Sequence, residues 1–137
     1  MIYSVSYPRS GHHFLVDSIC RSLDPSFRGT SADGSPTLEV GGFRYCEYYR
    51  HCRTLGCTRP VTLQKLHDLK LGLRGGDRVP RRPEHRYLIQ IREPYPAIRS
   101  YFAIANRRGW HPEATGSWEV FAARAARYWA AFVRKWL

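Results

Sequence analysis

Acidic residues are scarce in this chain: Asp and Glu total 11 against 22 Lys and Arg, a formal charge of +11. That imbalance points to an anionic partner such as a nucleotide, a nucleic acid, an acidic glycan or a membrane surface. Long apolar runs are missing too. Arginines interrupt the hydrophobic stretches, so no transmembrane span is expected. The N-terminus enters a strand-like segment without a basic leader and apolar run, which argues against a secretory signal; the expected location is the cytoplasm, with a bacterial source favoured. Two nucleotide signatures are absent. No Gly is followed by four residues and then Gly-Lys-Ser/Thr, which sets aside an ordinary ATP or GTP loop, and there is no GxGxxG fingerprint. The four cysteines include no CxxC pair, so the zinc signal is weak.

What is present begins at residue 2. Ile2, Tyr3, Val5 and Tyr7 have the β-branched and aromatic character of a strand. Phe14, Leu15, Ile19 and Leu23 then recur at helical spacing. Between them lies Tyr7-Pro8-Arg9-Ser10-Gly11. A tight basic turn between a strand and a helix places backbone N–H groups and a helix N-terminus around an anion. Arg9 adds a fixed cationic fork for phosphate or sulfate oxygens. The stretch reads as a seat for the 5′ end of a nucleotide, or as a basic turn that merely caps a core helix.

A second motif follows. His85-Arg86-Tyr87-Leu88-Ile89-Gln90-Ile91 reads as a buried strand ending in Arg92-Glu93-Pro94. A helix is expected from near Pro96, with Ile98, Tyr101, Phe102 and Ala105 on one side and Ser100 on its early turns. A guanidinium at the carboxyl end of a strand and a hydroxyl on the next helix are placed to converge on one phosphate.

Tyr-Pro-Arg-Ser-Gly after the first strand, and Arg-Glu-Pro with Ser eight residues after the Arg, resemble the two cofactor motifs of the sulfotransferases. Those enzymes carry Tyr-Pro-Lys/Arg-Ser-Gly and Arg-Asp/Glu-Pro, and move the sulfuryl group of 3′-phosphoadenosine 5′-phosphosulfate (PAPS) to an acceptor. The resemblance implies that Arg9, Ser10, Gly11, His12, His13 and Phe14 hold the phosphosulfate end and that Arg92 and Ser100 grip the 3′-phosphate. Thr62-Leu63-Gln64-Lys65-Leu66-His67-Asp68 is similar to a short family segment in which a Lys and a His, two apart, close a strand. Residues i and i+2 of a strand face the same way, so Lys65 and His67 are expected to point into one cleft. The resemblance makes His67 the general base for the acceptor hydroxyl, a role suited to a group that titrates near neutrality, and Lys65 a charge on the sulfuryl group. The family has Thr where this chain has Leu66. It commonly has Lys, as proton donor to the bridging oxygen, where this chain has Arg9. Arginine stays protonated, so Arg9 is expected to stabilise charge in an in-line transfer, and the general acid is left open, with His12 or His13 as candidates. No metal is called for, because side chains and backbone supply the positive field.

The middle of the chain is less telling. Gly29 to Gly42 reads as a loop, and Gly29–Pro60 as a loop-rich insert containing cysteines. Cys46, Cys52 and Cys57, with His51, read as buried or free thiols, with a disulfide or a metal site as alternatives. The Tyr-Cys-Glu-Tyr-Tyr and His-Cys pieces resemble a segment of a bacterial branch of the same family. Cys20 looks structural, on the core side of the first helix. Arg78, Arg81, Arg82 and Arg86 form the densest basic patch, read as a solvated loop around Pro80 and Pro83.

Residues 117–137 form an amphipathic helix whose apolar face carries Trp118, Phe121, Ala122, Ala125, Trp129, Phe132, Val133 and Trp136. In the sulfotransferases such a helix is followed by another strand and a late basic segment, so the chain is expected to span roughly the first half of a family domain. Without a successor, the helix is expected to expose Trp129, Trp136 and Leu137, a liability for aggregation or homodimer formation.

The reading is one α/β domain over 1–137: a P-loop-like three-layer fold, C-terminally truncated, with a mainly parallel sheet flanked by helices. The expected activity is PAPS-dependent sulfuryl transfer to a hydroxyl or amine of a small-molecule, lipid or glycan acceptor, with no specific nucleic acid. Two alternatives stay open. One is a catalytically inactive nucleotide-binding module; the other is a small-molecule kinase, for which a Lys-Ser/Thr pair and a magnesium-holding carboxylate at a strand end are missing.

Overall fold

A computed structural model describes residues 1–29, 37–47, 60–68, 79–110 and 116–137. Among the described residues, five strands and three helices occur in the order β1 (Ile2–Ser6), α1 (His12–Leu23), β2 (Thr37–Val40), β3 (Phe43–Glu47), β4 (Leu63–His67), β5 (Arg86–Gln90), α2 (Pro94–Arg108) and α3 (Trp118–Trp136). The strands form one mostly parallel sheet in the order β2-β3-β4-β1-β5. The architecture is therefore α/β, as the alternation of patterns implied.

The antiparallel element is the β2–β3 hairpin, in register from Thr37↔Cys46 to Val40↔Phe43. Its two-residue turn, Gly41-Gly42, has φ of 53° and 80°. A two-residue hairpin whose central residues both have positive φ favours glycine at both positions. Residues 37–40, read from sequence as loop, are thus a strand paired through that turn. β3 then pairs in parallel with β4, Tyr45↔Leu63 to Glu47↔Lys65.

The chain forms two compact units. The first holds Met1–Val5, Gly11–Leu66 and Arg81–Ile89; the second holds Ser6–Ser10, His67–Pro80 and Gln90–Leu137. Ser6, His67 and Gln90, the last residues of β1, β4 and β5, therefore belong to the second unit.

In the first unit, Val16 and Cys20 of α1 are buried with Tyr45 and Leu63, and Ile2, Phe27, Leu38, Val40 and Phe43 pack around them. Cys20 is core-facing as expected, and burial pushes its thiol up. The helix buries the row His12, Val16, Cys20, while Phe14 is 78% exposed and Leu23 49%. This i, i+4 row of smaller side chains lies against the sheet. β5 differs from the buried strand expected: as the end strand of the described sheet it is only partly covered, with Leu88 exposed. Arg81 and Arg82, just before it, are exposed, in keeping with a solvated loop.

The second unit is built on aromatic packing between α2 and α3. Tyr101 meets Phe121 edge-on at 5.3 Å between centroids, and Phe102 meets Phe121 at 5.2 Å. Such tilted pairs add to the burial of area itself. Tyr7 is fully buried, stands edge-on to Tyr101 and Phe132, and donates its hydroxyl to the Ala125 carbonyl at 3.0 Å. Burial drives the phenols of Tyr7 and Tyr101 far above their ordinary pKa. α2 starts at Pro94, whose missing N–H costs nothing in a first turn, and ends at Gly109 with φ 62°. α3 is capped by Ser117, whose Oγ accepts from the Val120 N–H at 3.3 Å.

α3 buries Phe121, Ala125, Phe132 and Trp136. The expected exposure of Trp136 is not found. Its indole N–H donates to Asp68 Oδ2 at 2.9 Å, while Leu137 is exposed. Asp68 is fully buried; it also accepts from Lys135 Nζ at 2.5 Å and from the Val79 N–H at 3.3 Å. Lys135 Nζ further donates to the Val79 carbonyl. A buried carboxylate needs such donors, because leaving it unpaired carries the full desolvation penalty. Among the described residues, no helix is long and apolar enough to cross a membrane. His51, Cys52 and Cys57 lie outside the described residues, as does Arg78. Cys46 is buried.

Candidate functional site

The second unit contains Arg9, Ser10, His67, Arg92 and Ser100. The turn after β1 is closed by the Ser10 N–H on the Tyr7 carbonyl at 3.2 Å, with Pro8 and Arg9 at its centre. Arg9 has φ 67°, the one described non-glycine residue with positive φ. Proline followed by a positive-φ residue is the pattern of a type II turn, in which the third position normally falls to glycine. An L side chain there costs about 1–2 kcal/mol, and strain of this kind concentrates at ligand-binding sites.

The turn directs the Arg9 side chain to α2, where Nε donates to Ser100 Oγ at 3.0 Å. Arg92 lies between β5 and α2, and its Nη1 reaches the Arg9 carbonyl at 3.5 Å, the outer limit of a hydrogen bond. Its own carbonyl accepts from the Trp129 indole at 3.1 Å. Arg9, Arg92 and Ser100, residues from two motifs more than 80 positions apart, are thus linked in one hydrogen-bonded set. Arg9 and Arg92 are both exposed, and among the described residues neither pairs with a carboxylate. The hydroxyl of Ser10, a residue only 6% exposed, makes no hydrogen bond. Buried hydroxyls are nearly always bonded in native proteins. Two uncompensated guanidinium groups and a buried hydroxyl suit a phosphate or sulfate dianion.

His67 closes β4. Its Nδ1 lies 3.1 Å from Ser6 Oγ and 3.2 Å from the Ser6 carbonyl oxygen. A carbonyl only accepts, so the tautomer that satisfies this contact carries its proton on Nδ1 and its lone pair on Nε2. That is the form a general base needs.

The first unit contains the other residues singled out in the sequence, and they form a different kind of cluster. Glu47 Oε1 accepts from Lys65 Nζ at 3.0 Å and from the Tyr45 hydroxyl at 3.2 Å, and lies 2.7 Å from His13 Nε2. Lys65 Nζ is also 2.7 Å from His13 Nε2. Lys65 and Glu47 are both buried. The ammonium expected to act on a sulfuryl group is therefore committed to an internal carboxylate, and Lys65 and His67 fall in different units. His12 is buried, with Nδ1 3.1 Å from Ser4 Oγ. Gly11 caps α1 with φ 87° and no side-chain cap, which leaves the N–H groups of the first turn without intrahelical partners. Phe14, on that turn, is exposed.

Three participants were not read from sequence: Glu47, Ser6 and Trp129. A lone acid in the apolar run Tyr45-Cys46-Glu47 of so basic a chain was the available signal for the first; a strand serine and a helix tryptophan carried none. An open cleft of about 610 Å³ in the first unit, lined in part by Arg44, Thr62 and Arg86, contains none of the expected site residues. Among the described residues, no three His, Cys, Asp or Glu side chains are grouped to hold a metal ion. No family model, no curated protein and no solved structure matches the chain.

Proposed function

We propose that the protein is a PAPS-dependent sulfotransferase, with the second unit as its anion-binding part. The observation that carries the reading is the hydrogen-bonded set of Arg9, Arg92 and Ser100, uncompensated by any described carboxylate. In this reading Arg92 and Ser100 hold a nucleotide phosphate, while Arg9 and the Ser10 hydroxyl hold a second anionic group. When bound, the cofactor supplies an activated sulfuryl group. Arg9 and Arg92 stay charged throughout and stabilise negative charge as it shifts, without reorganising. Ser6 holds the His67 ring in the tautomer that takes the acceptor proton at Nε2. The acceptor is a hydroxyl or amine on a small molecule, a lipid or a glycan. The reading places the protein in the cytoplasm.

The test is calorimetric titration with 3′,5′-adenosine bisphosphate, 5′-AMP and ATP. Selective micromolar binding that needs the 3′-phosphate is expected; equal affinity for the three nucleotides overturns the reading. One observation favours a second reading, a nucleotide-binding module without turnover. The Lys65 charge, which transfer would use, is neutralised by Glu47. In that case 3′,5′-adenosine bisphosphate binds as above, but no sulfuryl transfer from PAPS to a panel of phenol, amine and glycan acceptors is measured.

A further inference from the structure

We infer that Trp129 is a positioning residue of this anion grip, acting through the backbone of Arg92. The inference rests on the proposed function, since it concerns the same guanidinium. Arg92 lies in the stretch 91–93, which belongs neither to β5 nor to α2. Its carbonyl therefore lacks the ladder or helical partner that holds backbone in place. The donor that reaches it is the Trp129 indole, at 3.1 Å.

Trp129 differs from the buried aromatic side chains of α3. Phe121, Phe132 and Trp136 are buried in the core, whereas Trp129 is only partly covered. Its polar edge is directed at the residue that carries the guanidinium. Three donors then follow in series: Trp129 Nε1 to the Arg92 carbonyl, Arg92 Nη1 to the Arg9 carbonyl, and Arg9 Nε to Ser100 Oγ. The series runs from α3 through both arginines to α2. A group that fixes the backbone of Arg92 also fixes where its side chain starts, and binding sites lose affinity when such support is removed.

The alternative is packing alone. Trp129→Phe keeps an aromatic ring and removes the donor, together with part of the ring area, so the double variant is needed to separate the two. The full chain is titrated with 3′,5′-adenosine bisphosphate in wild type, Trp129→Phe, Arg92→Ala and the double variant. Trp129→Phe should weaken binding about fivefold, the effect of one neutral hydrogen bond. The double variant should bind no more weakly than Arg92→Ala alone, within about twofold, because the tryptophan acts through the arginine. A packing role predicts instead that the two losses multiply, and that result, or unchanged binding in Trp129→Phe, overturns the inference. Should Trp129→Phe fail to fold, the indole N–H resonance of wild-type Trp129 decides. It should shift on titration in wild type and stay still in Arg92→Ala; no shift in wild type that binds the nucleotide rejects the positioning role. Absence of binding in folded wild type rejects the proposed function, and the positioning role with it.

Discussion

The two units use basic side chains in opposite ways. In the first, Lys65 is buried, faces Glu47 at 3.0 Å, and has its charge cancelled inside the protein. In the second, Arg9 and Arg92 are exposed and uncompensated, and one of them sits on strained backbone. A buried, paired charge is held because separation would leave an ion in a low-dielectric interior. An unpaired charge on a strained turn adds nothing comparable to stability, and its natural counterpart is a ligand. The contrast teaches that in a chain this basic, cation count says little about where an anion binds; compensation and backbone strain say more.

Breaking the compensated side should have the largest effect. Glu47→Ala strands a buried ammonium and should cost about 3–5 kcal/mol of unfolding free energy in urea titration. A loss below about 1 kcal/mol would mean that water reaches the pair. Arg92→Ala should do the reverse: unfolding changes by less than about 0.5 kcal/mol, as for other surface substitutions. Affinity for 3′,5′-adenosine bisphosphate should fall about thirtyfold, the loss of a charge-assisted contact. Arg9→Gly combines the two behaviours. Relief of the positive φ, offset by the greater freedom of glycine in the unfolded chain, should stabilise by about 0.5–1 kcal/mol while anion affinity drops. A variant that loses stability would show that the Arg9–Ser100 hydrogen bond outweighs the strain.

Gln64 sharpens the comparison from the other direction. It is fully buried in β4 of the first unit, and neither end of its amide has a hydrogen bond. Gln64→Leu should therefore be neutral or stabilising by about 1 kcal/mol, where an ordinary buried glutamine would lose stability on the same change. The smallest effect is on pH. The carboxyl of Glu119 is held below its ordinary 4.5 by hydrogen bonds from its own backbone N–H and from Ser117, and that of Asp24 below 3.8 by the side chain and backbone of Ser26. Both groups have a lower pKa folded than unfolded. Their contribution is present above the ordinary values and fades as pH falls through the folded ones. Glu119→Gln should flatten the acid limb of the stability profile below about pH 4.5, and an unchanged limb would remove the assignment.

Much of the candidate site could be read in advance because its residues lie at fixed offsets from recognisable elements. Arg9 follows a strand and precedes a helix. Arg92 and Ser100 straddle a strand end and a helix start that hydrophobic period and proline both mark. The periodicity of α3 was equally plain. What escaped depends on partners distant in sequence. Nothing near Lys65 in sequence announces Glu47, the carboxylate that meets its charge. Which row of α1 meets the sheet is likewise set by tertiary partners: beside Cys20 it is Val16 and the polar His12 that are buried. The exposure of β5 reflects its place at the end of the described strand order, which no local pattern encodes. The β2–β3 hairpin was legible in principle, since Gly41-Gly42 is the two-residue turn such strands need; its four-residue strand hid it in a segment rich in loop residues.

The final turn of a helix ordinarily frays, because its carbonyls lack partners and its amides open to solvent on fast timescales. Asp68 alters this for α3. It takes both the Lys135 ammonium and the Trp136 indole, and the same lysine reaches the Val79 carbonyl. Opening that turn means parting a fully buried carboxylate from its donors, a step close in character to losing the unit as a whole. The last amides of α3 should accordingly exchange with solvent deuterium at rates near those of its middle, and the aromatic packing along the helix should melt in a single cooperative step rather than unzip from one end.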